Sequence, residues 1–491
     1  MLNILAFDLG ASNGRNVLGS FDGEKVYINE ISRFANTPVQ VSGKLYWDVL
    51  RLFHEIKCGI SESVRCFGDI TSLAVDTWGT DFGLLDENDE LFANPYHYRN
   101  SYSHGMLDEI FKIIPYEELY AKTGSELSDI CSLIRLYSMQ IQNHHQLKYA
   151  KTFLMMPDLF NYLLSGVKLT EYTIASSSNL ISAENKKWLF EIMDILHLPK
   201  EIFTEIVQPG TVIGSLTNDV SKETGSKNIR VIATTSHDTA SAVAAMPLQD
   251  SNSIFISSGT WSVIGIEVDR PIITEKAMKN NFINEGGACG KIRFSKNVMG
   301  LWFIEACRSD WKLRGEGISY AEMDDAAARA TLFESFINPA HSNFVLPGDM
   351  PQKIRNYLFL TKQKVPQEKG EIVNTINQSL AMEYRKVIEN IEDISGKKFS
   401  KIYIVGGGIK NRLLCQYTAN ATGKEVIAGY PETVCVGNIL IQAMALGEIK
   451  NLDELREIVK ESFPVEYYSP KDKESWDEAY NKYKKVICEG L

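Results

Sequence analysis

A chain of 491 residues exceeds what one ordinary hydrophobic core organises, so two or more domains are expected. With 44% hydrophobic and 23% charged residues, it has the make-up of a globular protein and no compositional reason for disorder. A formal net charge of −11 argues against a nucleic-acid or anionic-membrane surface, so any phosphate-bearing ligand must be held by local features.

The opening "MLNILAFDLG" has no basic region, and Asp8 interrupts its apolar run. It reads as a first strand and not as a signal peptide. No run approaches the length of a membrane span. Eight cysteines form no CxxC pair and no His/Cys ligand spacing, a pattern expected of reduced thiols in a cytoplasmic protein. After the turn "ASNG", the β-rich runs "RNVLGSF" and "VYINEISRF" flank "DGEK", a hairpin signal. An amphipathic helix follows in "WDVLRLFHEIKCGISES", where Leu52, Phe53, Ile56 and Ile60 recur at helical spacing. "ITSLAVDTWGTDFGLLDENDELF" reads as another strand pair, turning at Asp86 to Asp89.

From Ile110 to Leu198 the pattern is mostly helical, with a break at "LMMPDLFNYLLSG". "IRVIATT" is a short strand, and "SHDTASAVAAM" starts a helix of small residues directly after it. The opening layout then returns, in "SIFISSGTWSVIGIEV" and in "KIYIVGGGIKNRLLCQYTANATGKEVIAGY". The expectation is an α/β fold with mixed sheets in two domains of similar plan, 1–247 and 248–491, joined near Pro247 to Ser253. Glu371 to Ile394, with Ile372, Ile376, Leu380, Val387 and Ile391 on one face, reads as a core helix. The segment "KDKESWDEAYNKYKK" reads as a charged, solvated helix, and His144 and His145 as surface residues of a polar loop without partners.

Glycine-rich turns are the first candidates for chemistry. No G-x-x-x-x-G-K-[ST] is present, which excludes a P-loop enzyme. Gly10 to Gly14 instead follow a buried strand that ends near Asp8, and such a turn can aim several backbone N–H groups at phosphate oxygens. "SSGTWS", with Gly259 and Thr260, is a second such turn. Gly406, Gly407 and Gly408 form a third, where a flat ligand can come close to the backbone. Together the three turns point to a bound nucleotide. "TDFGLL" contains the D-F-G of protein kinases, but neither an H-R-D loop nor a strand lysine accompanies it in the required order.

Ser236, His237 and Asp238 are adjacent in the chain, and adjacency argues against a hydrolase triad, whose members converge from separate loops. Ser236 or Asp238 could cap the helix that follows. Alternatively, Asp238 is a general base placed beside a transferring phosphate, with Thr239, Ala240, Ser241 and Ala242 small enough for the helix to approach a ligand. Asp76, Trp78, Gly79, Arg99, Asn284, Glu285 and Asn297 are weaker polar candidates, each equally readable as a turn or a satisfied core group.

In order along the chain, "FDLGASNGR", "DTWGTDF", "LMMPDLFNYLLSG", "EYTIAS", "SHDTASAV", "SSGTWSVIG", "NEGG", "KNVMGLW", "INP" and "IVGGGIKN" resemble the FGGY carbohydrate kinases. That family belongs to the sugar kinase, Hsp70 and actin superfamily, and within it the markers resemble the rhamnulokinase branch most. The resemblance implies two ribonuclease-H-like domains with an active-site cleft between them, the N-terminal one for a ketose and the C-terminal one for Mg-ATP. It implies ATP-dependent phosphorylation of a ketose primary hydroxyl, L-rhamnulose giving L-rhamnulose 1-phosphate. Ala11, Ser12, Asn13, Gly14 and Arg15 would form the first phosphate loop, and Asp8 would position Mg²⁺ through water. Thr260 would hold phosphate, Gly408 would lie by the adenosine, and Glu305 would stand where the family commonly has a glutamine near the nucleotide. Asp238 would be the base, and Gly79, His237, Thr239 and Asn297 would contact the sugar. The sequence departs from the family pattern at Asn100 after Arg99, in "SELSDICSL", and at Glu305. Alternatives are a kinase for L-fuculose or D-xylulose, an actin/Hsp70-like nucleotide-dependent binding protein, and, more distantly, a hydrolase using Ser236.

Overall fold

In the computed structural model, which describes residues 1–248, 252–346 and 348–489, the strand β1 (Leu2–Leu9) is buried over its last six residues. An apolar strand of this kind belongs inside a sheet covered on both faces. β2 (Asn13–Phe21) returns antiparallel to it, and the Asp22–Gly23 turn leads into β3 (Val26–Ala35). Gly23 has φ 104°, a backbone state that other residues rarely adopt. α1 (Val49–Phe67) is the amphipathic helix predicted from the spacing, capped by Asp48, which accepts the Arg51 N–H. Then come β4 (Ser72–Thr77), β5 (Thr211–Ser215), β6 (Arg230–Ala233) and α2 (Asp238–Ala244). The second half brings β7 (Ser253–Ser258), β8 (Trp261–Val268), α3 (Lys369–Ser395), β9 (Lys401–Val405), α4 (Arg412–Thr422), β10 (Glu425–Ala428), α5 (Thr433–Ala445) and β11 (Glu466–Tyr468).

Two compact units result. One holds Met1–Pro247, Glu267–Phe294 and Glu432–Ser462; the other holds Leu248–Ile266, Ser295–Pro431 and Phe463–Leu491. Of the junction expected near Pro247 to Ser253, residues 249–251 lie outside the described residues. The first unit's sheet runs β5-β6-β4-β1-β2-β3, with β6, β4 and β1 parallel and the other pairs antiparallel. In the second unit, β7, β9 and β10 are parallel, with β8 antiparallel on one side and β11 on the other. Both sheets are mixed and share the plan read from the sequence. α3 is the expected core helix, with Ile372, Ile376, Leu380, Val387 and Ile391 fully buried.

Five local expectations are refined or corrected by the structure. The turn at Asp86 to Asp89 forms as expected, with Leu85 bridged antiparallel to Leu91, but Ser72–Thr77 and Phe82–Leu85 enter different sheets: β4 joins the main sheet, while Phe82–Leu85 pairs with Thr152–Met155. Consequently "LMMPDLFNYLLSG" is no break in a helical stretch. It is that partner strand followed by the helix Met156–Ser165, with Pro157 in the first turn, where its missing N–H costs nothing. The small residues of α2 admit α5 at Ser241, whose carbonyl a Cβ on Gly437 would run into, while Thr239 at the start of the helix lies beside Asp238. The charged C-terminal helix (Lys473–Glu489) is not solvated all round, since Trp476, Ala479, Tyr480 and Tyr483 bury one side of it. His144 has a partner, Tyr96 Oη at 3.1 Å, and His145 packs against Phe92 and Tyr149.

Candidate active site

The registers of β2, β1 and β4 set Arg15 opposite Asp8, and Asp8 opposite Asp76. This row lies at the carboxyl ends of two parallel strands, the position where open α/β sheets bind ligands. Arg15 donates to Asp8 from Nε at 2.7 Å and Nη2 at 2.5 Å, and its Nη1 also meets Glu432 at the start of α5. Burial disfavours the Arg15 charge, but Asp8, Cys435 and Asp76 together outweigh it and hold the guanidinium firmly protonated. Asp76 accepts from Asn438 Nδ2 at 2.5 Å, and its other oxygen is buried with no hydrogen-bond partner among the described residues. Burial first, then the charge of Asp8, pushes the Asp76 carboxyl well above the usual carboxylate range.

The segment after β6 brings Asp238 to this row. The Thr77 N–H donates to the Ser236 carbonyl at 2.9 Å, so the segment continues alongside β4 as far as His237. Behind it lies Glu171, fully buried, whose carboxylate accepts four hydrogen bonds: from Thr173 N–H, Thr173 Oγ1, Ile174 N–H and Ser236 N–H. Thr173 Oγ1 in turn accepts the His237 N–H at 3.2 Å. Asp238 begins α2, and His237 is the N-cap without a side-chain cap bond. Ser236 is no helix-start cap either, since its hydroxyl donates to the Thr234 carbonyl. Asp238 accepts the Thr239 N–H at 2.5 Å and the Thr239 hydroxyl at 3.1 Å. Burial and the charge of Asp8 raise its carboxyl to about 7, against the opposing hydrogen bonds of Thr239. A carboxylate so placed takes up and releases a proton near neutral pH.

His237 sits beside this carboxylate, with Nε2 3.6 Å from Asp238 Oδ1. Its Nδ1 faces Arg293 Nη2 at 2.9 Å, and burial together with the Arg293 charge holds the ring well below the usual range, hence neutral. Arg293 Nη2 also donates to Glu285 at 3.0 Å, and its Nε to the Gly286 carbonyl. Gly79, past the end of β4, closes the same region: a Cβ there would stand 3.2 Å from His237 Nε2 and 3.2 Å from Ser177 Oγ.

Within the first unit the structure thus gathers Asp8, Arg15, Gly79, His237, Asp238 and Thr239. Ala11, Ser12 and Asn13 form the tip of the adjoining turn, fastened where Gly10 N–H meets the Asn13 carbonyl and Asn36 Nδ2 meets the Gly10 carbonyl. Gly14 is needed because a Cβ would strike the ring of Phe34. Four candidates lie in the second unit. Thr260 is exposed in the turn between β7 and β8, where its carbonyl and that of Gly259 accept N–H groups of Gly300, Leu301 and Trp302. Gly408 lies against Ser258, leaving no room for a side chain. Glu305, on the helix Trp302–Leu313, accepts from Tyr320 Oη, and Asn297 is exposed on a strand. Asn284 is occupied structurally, donating to the carbonyls of Gly124 and Ile272 and accepting the Ile272 N–H.

Sequence reasoning passed over Asn438, Glu171 and Arg293. Asn438 and Gln442 are polar residues one turn apart in an otherwise apolar helix, a pattern that could have marked them. Glu171 and Arg293 are readable only once the fold brings them beside His237. Asp81 of the "DFG" string has a structural task, accepting both indole N–H groups of Trp47 and Trp78 at 2.6 Å and pairing with buried Arg135.

The N-terminal domain of the FGGY family of carbohydrate kinases matches residues 3–245, and the C-terminal domain matches residues 254–446. The chain belongs to the FGGY family of carbohydrate kinases. It is 41% identical to a rhamnulokinase of Bacteroides thetaiotaomicron, over 99% of both chains. It is 38% identical to a rhamnulokinase of Oceanobacillus iheyensis, over 95% of this chain and 98% of that one. Among solved structures, a gluconate kinase from Lactobacillus acidophilus superposes with TM-score 0.82 at 18% identity, over 99% of this chain and 97% of the other. A Plasmodium falciparum glycerol kinase with ADP does so with TM-score 0.80 at 14% identity, over 100% and 98%. These distant neighbours share the two-domain fold of FGGY kinases.

Proposed function

We propose that this chain transfers the γ-phosphoryl group of ATP to the primary hydroxyl of L-rhamnulose, giving L-rhamnulose 1-phosphate and ADP. The observation that carries the chemistry is Asp238, a carboxylate raised to about 7 beside Asp8 and Asp76 at the strand ends. The choice of sugar is supported by rhamnulokinases 34–41% identical over nearly the whole chain. In the reaction, the ketose O–H bond gives its proton to Asp238, the oxygen forms a bond to the γ-phosphorus, and the bond to the ADP oxygen breaks. Phosphoryl transfer depends mainly on positioning and charge stabilisation, so the base aligns the nucleophile as much as it activates it.

Gly79, His237 and Thr239 in the first unit would hold the ketose, with Asn297 as a further contact. The turns at 11–15 and at Thr260 would hold phosphates, with Gly408 by the adenosine and Glu305 on the nucleotide side. Arg15 is already engaged by Asp8 and Glu432, so its turn would act through backbone N–H groups. Among the described residues no group of three or more His, Cys, Asp or Glu side chains is arranged to hold a metal. That fits Mg²⁺, which keeps several waters and rests on one or two carboxylates plus phosphates. Asp8, with Asp76 beside it, would hold the ion, which when bound neutralises charge on the phosphates. No helix among the described residues is long and apolar enough to cross a membrane. A cytoplasmic setting suits the use of ATP and the seven free cysteines among the described residues.

A coupled ADP-release assay over L-rhamnulose, L-fuculose and D-xylulose tests the reading. L-Rhamnulose is expected to give the highest kcat/KM. A higher value for another ketose would reassign the substrate, and ATP hydrolysis indifferent to every ketose would discard the kinase.

A further inference from the structure

We infer that Arg293 is a positioning residue that fixes His237 as a neutral imidazole with its proton on Nε2, so that the ring presents a single N–H donor to a ketose oxygen. The inference rests on the sugar site proposed above and adds Arg293 to it. A guanidinium has donors only, so the 2.9 Å contact from Arg293 Nη2 makes His237 Nδ1 an acceptor. The one proton of the neutral ring is then on Nε2. That atom points toward Asp238 at 3.6 Å, beyond hydrogen-bond reach, and toward the space that the missing side chain of Gly79 leaves open.

Arg293 is itself held rigidly. Its side chain is fully buried and tied to Glu285 Oε2 at 3.0 Å and to the Gly286 carbonyl at 2.9 Å. Its Nη1 has no hydrogen-bond partner among the described residues. The charges around the ring compete. Asp238 approaches from α2, while Glu285 lies 3.5 Å from Nδ1 on the opposite side. Arg293 stands between these carboxylates and the ring's protonation, and Glu171 lies behind the backbone through Thr173. Without Arg293, Glu285 would draw a proton onto Nδ1. The ring would become an imidazolium flanked by Glu285 and Asp238, and the base would lose strength to its new cationic neighbour.

Nitrogen-15 NMR of histidine-labelled protein reads the tautomer directly, without substrate. Wild type is expected to show His237 protonated on Nε2 only and not titrating between about pH 6 and 8. In Arg293→Met, His237 is expected to titrate in that window, while KM for the ketose rises ~10-fold, the worth of one hydrogen bond. Arg293→Lys, which keeps a cationic donor, is expected to restore most of the wild-type spectrum. The double variant Arg293→Met/Glu285→Gln removes both buried charges together and should leave His237 neutral but free to change tautomer. A wild-type ring protonated on Nδ1, or a ring that stays neutral and on Nε2 in Arg293→Met, overturns the inference. Failure of the function proposal would appear separately, as absence of ketose-dependent turnover in wild type.

Discussion

Asp8 and Asp76 are direct partners in the register of two parallel strands, and each is restrained by a different neighbour, Asp8 by Arg15 and Asp76 by Asn438. Asp238 shares the same field, since its carboxyl is raised partly by Asp8. Burial raises Asp238 first and the charge of Asp8 adds to it, against the hydrogen bonds of Thr239 and the charge of Arg293, and the balance gives Asp238 its basicity near neutral pH.

Replacing Asp238 by Asn keeps the shape of the side chain and removes proton acceptance. The variant is expected to fold, to bind ATP in a calorimetric titration, and to lose ~10³-fold or more in kcat. Turnover within tenfold of wild type would show that another group takes the proton.

The pH profile follows from the same carboxyl. A base must be deprotonated to act, so kcat/KM is expected to rise with pH and level off above the Asp238 value of about 7. Glu171, raised by burial, also lies at about 7 and could produce the same limb. Glu171→Gln separates them: the limb should survive this change and vanish with it only if the assignment to Asp238 is wrong.

Stability carries a matching signature. Both carboxyls are raised above their unfolded values, so the fold favours their protonated forms, and stability should fall as pH rises from about 4 to about 7. Denaturant unfolding across that range should show a smaller decline in Asp238→Asn than in wild type. At neutral pH that variant should be at least as stable as wild type.

Asn438 supports the row from α5. Asn438→Leu leaves Asp76 without its donor, and the expected cost is about 1–3 kcal/mol in denaturant unfolding, with a lower kcat. A change in stability with unaltered kcat would confine Asn438 to a packing role.

Much of this was legible in the sequence because local rules agreed with the tertiary outcome. The apolar run before Asp8, the Asp22–Gly23 hairpin and the spacing of Ile372 to Ile391 each predict the element that forms. Legibility failed where a long-range partner decides. Phe82–Leu85 pairs with Thr152–Met155 and not with the strand just before it, a choice no local pattern encodes. The small residues of α2 announced a close approach but not its object, which is the backbone of α5. Asp238 and His237 could be singled out by motif, whereas Arg293 and Glu171 acquire meaning only through the distances that folding creates.

Residues 432–462 complete the first unit although they are among the last to be made. Gly19 is small to admit Ile439, and Gly437 to admit the Ser241 carbonyl, so β2 and α2 are shaped for a helix that is still untranslated while they emerge. One core of this unit draws only on residues between Leu5 and Val231 and needs nothing made later. The side of β1 and β4 that α5 covers is different: on the ribosome it stays open to water until residues 433–445 have emerged, so this side of the sheet is shielded late in synthesis.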